Sequence, residues 1–410
     1  MRNRWICPFL FAVVFFSTTV PVSADFSKPS KNLSNDEWGW ETAADIAVIP
    51  GTDKVFAIWT RLDSDLERER VKFSKSTDGG VTWSSPIGLN CTNAWWWDNP
   101  NYWEMYGAAL AVDDPYIHVV MSFSKTLTME YEIYYRRSVD LGETWEPWVQ
   151  LSNSSAPSVS PDVAAGGGYV HIVYEAEWPG NSEIMYKRIA DNGAGPVEQT
   201  RRLTFSTGSS LSPAIAISDD GSVVNVVYQD ETSGTSQILY KRLLDSGAGA
   251  METRSLTFGG NDKYGPSIAT SSGADGQYVF VVHSDCVDPA QGRYEVLFKR
   301  LDQFGAPGGE FLTTRLTSTQ SSAYPCSITC DGSTKDVYAA YVAWPTGMDD
   351  VFYKKLADYG GGSFTTGQIS YGEGDSYGAC LAAADGWAYV IWSDDTLLWG
   401  IPDILFKRGN

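Results

Sequence analysis

Apolar positions along this chain come in short alternating or β-branched runs. Turns of Gly, Asp, Asn and Ser break them, and no stretch holds a 3.6-residue period for three turns. Residues 209–260 show the unit. Pro213-Ala214-Ile215-Ala216-Ile217 is a short apolar run, Asp219-Asp220-Gly221 a turn, and residues 223–228 a second, β-branched run. A polar stretch covers residues 229–236. Gln237-Ile238-Leu239-Tyr240-Lys241-Arg242 reads as a third strand and Arg254-Ser255-Leu256-Thr257-Phe258 as a fourth. Four short antiparallel strands of this kind make one blade of a β-propeller.

The unit recurs. Its third strand closes on an aromatic residue followed by two positions rich in Lys and Arg: Phe73-Ser74-Lys75, Tyr135-Arg136-Arg137, Tyr186-Lys187-Arg188, Tyr240-Lys241-Arg242, Phe298-Lys299-Arg300, Tyr353-Lys354-Lys355 and Phe406-Lys407-Arg408. Successive copies sit 62, 51, 54, 58, 55 and 53 residues apart, a period that belongs to propellers and solenoids. The pattern predicts an all-β, seven-bladed β-propeller of four-stranded antiparallel blades, one domain over residues 25–410. The last blade lacks its own fourth strand. Lys31-Asn32-Leu33-Ser34 resembles Arg202-Leu203-Thr204-Phe205, so the N-terminal segment is expected to complete the last blade and close the ring, removing an exposed edge.

Residues 1–24 read as a signal peptide. Arg2 and Arg4 precede an apolar run over residues 5–16, and Val22-Ser23-Ala24 offers small residues for cleavage after Ala24. That run is too short to span a bilayer, and no later segment is apolar for long enough. The mature protein is therefore expected to be secreted, periplasmic or cell-surface, with no membrane span. Net charge is −20 for the whole chain and −22 without the leader, which argues against nucleic acid or anionic membrane as a partner.

Five cysteines remain after cleavage: Cys91, Cys286, Cys326, Cys330 and Cys380. Their spacing is not that of a zinc site. Cys326 and Cys330 would lie about 13 Å apart on one strand, too far to bridge. Cys326 and Cys380 occupy nearly matching places in adjacent repeats and could approach each other. An odd count leaves at least one thiol free or paired with another chain. Asn32-Leu33-Ser34, Asn90-Cys91-Thr92 and Asn153-Ser154-Ser155 are glycosylation sequons.

Ser76-Thr77-Asp78-Gly79-Gly80-Val81-Thr82-Trp83 and Ser138-Val139-Asp140-Leu141-Gly142-Glu143-Thr144-Trp145 both fit S-x-D-x-G-x-T-W. The pattern resembles the Asp-box, or BNR repeat, of sialidases and sialidase-like propellers. Asp191-Asn192-Gly193 and Asp245-Ser246-Gly247 are eroded versions. The Asp can accept backbone N–H bonds, Gly takes the positive φ, and Trp packs the turn onto the blade. The resemblance implies propeller architecture for the whole mature chain and puts these turns opposite the active-site face of sialidases. It does not extend to the chemistry. Sialidases carry an Arg-Ile-Pro motif, three arginines gripping a carboxylate, and a Tyr/Glu pair with an Asp acid. This chain has no Arg-Ile-Pro, and it has seven blades where sialidases have six. Seven-bladed relatives with such boxes include lectins and polysaccharide-active enzymes, and fold alone does not choose between them.

In a propeller the loops entering each first strand share a face with those joining strands two and three, and sites form there around the channel mouth. Trp38 and Trp40 precede blade one, and a Trp-rich loop holding Trp95, Trp96, Trp97, Asp98, Trp103 and Glu104 precedes blade two. Tyr106, Tyr264, Tyr324 and Tyr377 match in repeat position and could form an arc around the mouth. Aromatic rings beside polar groups suit the C–H faces and hydroxyls of a sugar, so these residues are the candidate ligand contacts, with Arg293 a cation on the same face. Glu104 and Asp98 are the first acids to test for glycoside hydrolysis. Acids also follow strand two, at Glu175, Glu177, Asp230, Glu231, Asp285, Asp288, Asp349, Asp350, Asp394 and Asp395. Such carboxylates can hold calcium, but none has the D-x-D-x-D-G spacing, so no metal or other cofactor is expected.

His118 and His171 share one repeat position that Phe280 fills elsewhere, which reads as packing. His283 ends its strand toward the mouth and is a candidate catalytic group. The leading expectation is a secreted propeller that binds a glycan or glycoconjugate at an aromatic-lined mouth. The alternatives are a glycoside hydrolase of exo-sialidase-like kind or a polysaccharide lyase, and an extracellular protein–protein interaction module.

Overall fold

The computed structural model describes residues 26, 29–34, 39–63, 68–89, 105–124, 130–154, 156–178, 180–271, 277–306, 311–318, 321–344, 347–371, 374–398 and 401–410. They form seven four-stranded antiparallel sheets, the blades of a β-propeller. Blade one is Gly39–Val48, Val55–Asp63, Arg68–Ser76 and Ile87–Gly88; blade two is Met105–Asp113, Tyr116–Ser124, Tyr131–Ser138 and Val149–Gln150. Blade three is Ser158–Gly166, Tyr169–Trp178, Asn181–Ile189 and Val197–Arg202; blade four is Ser210–Ile217, Val224–Asp230, Gln237–Leu243 and Met251–Ser255. Blade five is Lys263–Thr270, Tyr278–Asp288, Arg293–Asp302 and Phe311–Arg315; blade six is Ala323–Asp331, Asp336–Ala343, Asp350–Leu356 and Phe364–Gln368. Blade seven is Ser376–Ala384, Trp387–Leu398 and Ile401–Gly409, and Lys31–Asn32 pairs antiparallel with its third strand, Lys31 opposite Phe406. First strands of successive blades touch all the way round and line the axis. No helix among the described residues is long and apolar enough to cross a membrane.

The core lies between blades. Val173, Ile184 and Tyr186 of blade three, for example, pack on Ile215, Val224 and Val226 of blade four. Each such side chain, fully buried, stabilises by roughly 1.5–3 kcal/mol. Second strands carry most of it: Val224–Asp230 and Asp336–Ala343 are buried along their whole length.

The aromatic residue of the repeat is the latch between neighbours. The turn glycine of the next blade sits directly on its ring. A Cβ at Gly142 would strike Phe73; at Gly193, Tyr135; at Gly247, Tyr186; at Gly305, Tyr240; at Gly360, Phe298; and at Gly80, Phe406. Each of these glycines has φ between +64° and +84° or stands at the equivalent turn, a conformation other residues adopt only with strain. Trp145 stands edge-on to Phe73 at 5.1 Å between centroids, and Trp83 edge-on to Phe406 at 5.0 Å. Phe26 meets the Tyr353 ring edge-on at 4.9 Å.

The second basic residue of the repeat points toward the neighbouring blade. Lys75 reaches Glu143 of blade two, at 2.6 Å. The commoner role is different: this residue caps carbonyls of the neighbour's turn, which would otherwise lack donors. Arg137 donates to Asn192 O at 2.8 Å, Arg188 to Ser246 O at 3.0 Å, Arg408 to Gly79 O at 2.6 Å and Lys75 to Leu141 O at 3.0 Å. The first basic residue bonds within its own blade in several copies, as when Lys241 Nζ donates to Thr253 at 2.6 Å, whereas Lys407 donates to Ile369 O of blade six at 2.6 Å.

Fourth strands end earlier than the pattern predicted. In blade four the strand is Met251–Ser255. There the Thr257 hydroxyl, rather than a backbone carbonyl, accepts the Ile238 N–H at 2.8 Å and donates to the Gln237 amide oxygen at 3.0 Å. Ser152, Thr204, Thr317 and Ser370 do the same for Ile133, Ile184, Val296 and Val351, each over Glu132, Glu183, Glu295 or Asp350. Ser34 accepts from Ile404 N at 3.1 Å and donates to Asp403 at 2.8 Å.

Candidate functional site

A β-bulge bends each first strand where it enters the axis. It falls between Thr42 and Asp45 in blade one and between Val159 and Asp162 in blade three. The bends leave a cavity of about 740 Å³ on the axis, whose wall includes Asp45, Asp162, Pro213, Ser327, Tyr324 and Tyr377. Asp45 Oδ2 accepts Leu110 N–H of blade two at 2.7 Å, and Asp162 Oδ2 accepts Ile215 N–H of blade four at 2.8 Å. The Ser327 hydroxyl accepts Leu381 N–H of blade seven at 3.2 Å. These three groups therefore tie the first strands of blades one, three and six to those of blades two, four and seven.

The two carboxyls are short of water, so their neutral form is favoured. Burial pushes Asp162 up to about 7, despite the Ile215 N–H bond, and the Asp45 charge adds to the rise. Burial also raises Asp45, against bonds from the Cys380 thiol at 2.9 Å and from backbone N–H groups. The Cys380 thiol is raised by burial and by the same Asp45.

Above this cavity stands a row of tyrosines. Tyr264 and Tyr294 of blade five have ring centroids 5.8 Å apart, and Tyr294 and Tyr324 of blade six 5.4 Å apart. Tyr324 is 45% exposed. Two of the predicted arc residues, Tyr264 and Tyr324, are thus brought together by a third, Tyr294, which the repeat position did not single out. Tyr294 sits on the third strand opposite Cys286, and only tertiary placement puts its ring between the other two. Burial pushes its hydroxyl up to about 12, with Cys286 and Tyr264 adding to the shift. Burial and then Asp262 raise Tyr264.

Tyr377 lines the same cavity on the far side of blade six. Burial holds its hydroxyl at about 12, and Asp395, Asp375 and Asp394 push the same way. Trp40 is half exposed on the mouth face. Arg293 lies 3.9 Å from the fully buried Glu295, which also holds Arg315 at 2.9 Å. Trp95, Trp96, Trp97, Asp98, Trp103, Glu104, the leader and Cys91 lie outside the described residues, as do the side chains of Tyr106 and Cys326. Cys286 and Cys380 are free thiols.

His283 does not open onto the mouth. It is fully buried, burial lowers it to about 4, and its Nδ1 lies 3.1 Å from Ser284 O. His118 and His171 are buried too, each with Nδ1 2.8 Å from the hydroxyl of Tyr135 or Tyr186. Burial brings both to about 3, so they act as neutral packing groups.

Several acids after strand two serve as acceptors inside the fold. Glu175 accepts Ser212 N–H at 2.7 Å, Asp230 accepts the Ser206 hydroxyl at 2.7 Å, and Asp394 accepts Ser376 Oγ at 2.7 Å and Trp392 Nε1 at 3.0 Å. Among the described residues no group of three or more His, Cys, Asp or Glu is placed to hold a metal ion.

Axial cavity, bulged first strands and mouth-face loops are carried by a seven-bladed β-propeller. No family profile matches the sequence, and no characterised protein is detected as a sequence relative. Solved structures do match in fold. The polysaccharide lyase Uly1 superposes with a TM-score of 0.56 at 11% identity, over 90% of this chain and 89% of that one. The Hadza microbial sialidase Hz136 gives 0.55 at 11% identity, over 93% and 68%. The GH93 alpha-L-arabinofuranosidase of Fusarium graminearum gives 0.55 at 14% identity, over 80% and 96%. At such identities the likeness is one of fold.

Proposed function

We propose that this chain is an exported propeller that binds carbohydrate on its mouth face, after removal of a leader at Ala24. The observation that carries the reading is the row Tyr264–Tyr294–Tyr324 beside the axial cavity, with Tyr324 45% exposed. Aromatic rings at such spacing offer flat apolar surface to sugar C–H faces, and flanking carboxylates and amides offer hydrogen bonds to hydroxyls. Trp40, Tyr106, Tyr377, Arg293 and the Trp-rich loop with Trp95, Trp96, Trp97 and Trp103 belong to the same proposed surface. The fold neighbours named as a sialidase, an arabinofuranosidase and a polysaccharide lyase support a glycan as the ligand class.

A second reading, glycoside hydrolysis or lyase chemistry, is favoured by one feature. Asp162 is a carboxyl held near pH 7 on the wall of the same cavity, the range in which a general acid works. Its oxygens, however, accept Val163 and Ile215 N–H groups, a bracing role. Glu104 and Asp98 remain the proposed acids of an enzyme. Screening the exported protein on a glycan array, with Tyr324→Ala and Trp97→Ala beside it, tests the binding reading. Binding that both variants weaken is expected. Absence of binding to every glycan would shift the assignment to a protein-interaction module.

A further inference from the structure

Three blades carry an exposed ring at the same repeat position just past the fourth strand. Phe205, Phe258 and Tyr371 are 72%, 73% and 73% exposed. In two of them a cation covers the ring. The Arg202 guanidinium lies 4.6 Å from the Phe205 centroid, and Lys407 Nζ lies 5.3 Å from that of Tyr371. Blade four has Ser255 where blade three has Arg202. Among the described residues no cation or aromatic ring packs on Phe258, so its face is free to stack on a ligand. Beside it is an open cavity of about 320 Å³ lined by Asp230, Thr232, Ser233, Gln237 and Gly259.

Phe258 is also joined to the mouth. The chain runs from it through Gly259-Gly260-Asn261-Asp262-Lys263 to Tyr264, a connection whose span is at most about 20 Å. This loop crosses from the outer edge of blade four to the axial strand of blade five. It is held in place, since Gln237 Nε2 donates to Gly259 O at 3.1 Å and to Asn261 O at 3.2 Å, and Asp262 Oδ1 accepts Ser236 N–H at 2.8 Å. The result is a path from an uncovered ring at the rim to three rings at the mouth, with fixed polar groups between.

The ionised groups that bear on the Tyr264 end of that path are carboxylates. Glu231 and Asp262 both bear on the Tyr264 hydroxyl. Lys263 on the path is buried and engaged with Asn261 O and, at 3.4 Å, with Asp285, and Arg293 beside Tyr294 faces the fully buried Glu295 at 3.9 Å. A carboxylated sugar would meet like charge from Glu231 and Asp262 here, whereas hydroxyls can donate to these acids.

We infer that the ligand is a neutral oligosaccharide bound across blades four to six, one end on Phe258 and the other on Tyr264, Tyr294 and Tyr324. This rests on the carbohydrate reading above and narrows it to an extended, uncharged chain. A terminal acidic sugar, the other form such a mouth could hold, would use the tyrosines alone.

The test is calorimetric titration of the full exported protein with neutral xylo-, arabino- and manno-oligosaccharides from disaccharide to hexasaccharide, and with oligogalacturonates of the same lengths. For at least one neutral series, affinity should climb with length and then level off, and should exceed that for the acidic chains. Phe258→Ala should weaken the longest chain by about tenfold and leave the disaccharide unchanged, while Tyr324→Ala weakens every length. Unchanged melting temperatures would show that both variants fold. Affinity independent of length, equal loss at all lengths in Phe258→Ala, or a preference for oligogalacturonates would overturn the extended neutral track and leave carbohydrate binding standing. No binding by any chain would overturn both.

Discussion

On the face that carries the turns, blade after blade brings the same groups into the same contact. A ring of one blade lies under a glycine of the next, and an arginine or lysine caps that neighbour's carbonyls. On the mouth face equivalent positions differ: Arg202 against Ser255 beside otherwise matching Phe205 and Phe258, and Tyr264 and Tyr324 where other blades have Val159 and Leu211. Seven blades must meet their neighbours by one geometry to close a ring, so a group needed for closure recurs. A ligand breaks the symmetry, so a group needed for binding need not stand in every blade, and the mouth tyrosine stands in four of the seven. The contrast separates packing residues from binding residues without any appeal to a relative.

The largest effects should come from the turn face. Gly193→Ala places a methyl group onto the Tyr135 hydroxyl at a residue with φ +84°. It should cost about 3 kcal/mol in chemical denaturation while glycan affinity of the folded fraction stays the same. Gly168→Ala, at a nearly identical φ of +85° but with nothing within 4 Å of its Cβ, isolates the backbone part and should cost about 1 kcal/mol. Equal losses would contradict the latch.

Asp162 should give a pH signature of its own. Its folded value, about 7, lies above its ordinary 3.8. The folded chain therefore keeps a proton that the unfolded chain releases. Its contribution to stability is fully present below about pH 4 and is lost as pH rises through about 7, with a slope on the order of 1 kcal/mol per pH unit. Asp45, also raised by burial, acts in the same sense. The turn acids Asp78 and Asp140 act oppositely. Bonds from Thr82 and Thr144 hold them at about 2, so what they contribute is present above pH 4 and fades as pH falls toward 2. Asp162→Asn should flatten the denaturation profile between pH 4 and 7 and leave the acid limb in place; an unchanged profile would show that Asp162 is ionised throughout.

A smaller loss, about 1–2 kcal/mol, is expected for Ser34→Ala. It removes the acceptor of Ile404 N–H and the donor to Asp403. An unaltered denaturation midpoint would mean that the N-terminal segment contributes nothing to blade seven.

Blade number and strand order could be read from the chain, because strand runs and turn residues are local features and the repeat samples them seven times. The demotion of His118 and His171 could also be read, since Phe280 fills their repeat position. What lay beyond reach depends on contacts between blades. Tyr294 joins the mouth from a third strand with no counterpart in the arc of first-strand tyrosines. Asp45 and Asp162 look like ordinary polar strand residues until bulges turn them to the axis. His283 follows a pattern pointing toward the mouth, yet the strands around it enclose it completely.

The decisive measurement is the pair of values, melting temperature and affinity for the best glycan, on Tyr324→Ala. An exposed ring that serves binding should leave the melting temperature unchanged and lower affinity about tenfold. Unchanged affinity, or a loss of stability like that of Gly193→Ala, would contradict the division between a repeated structural face and a variable binding face.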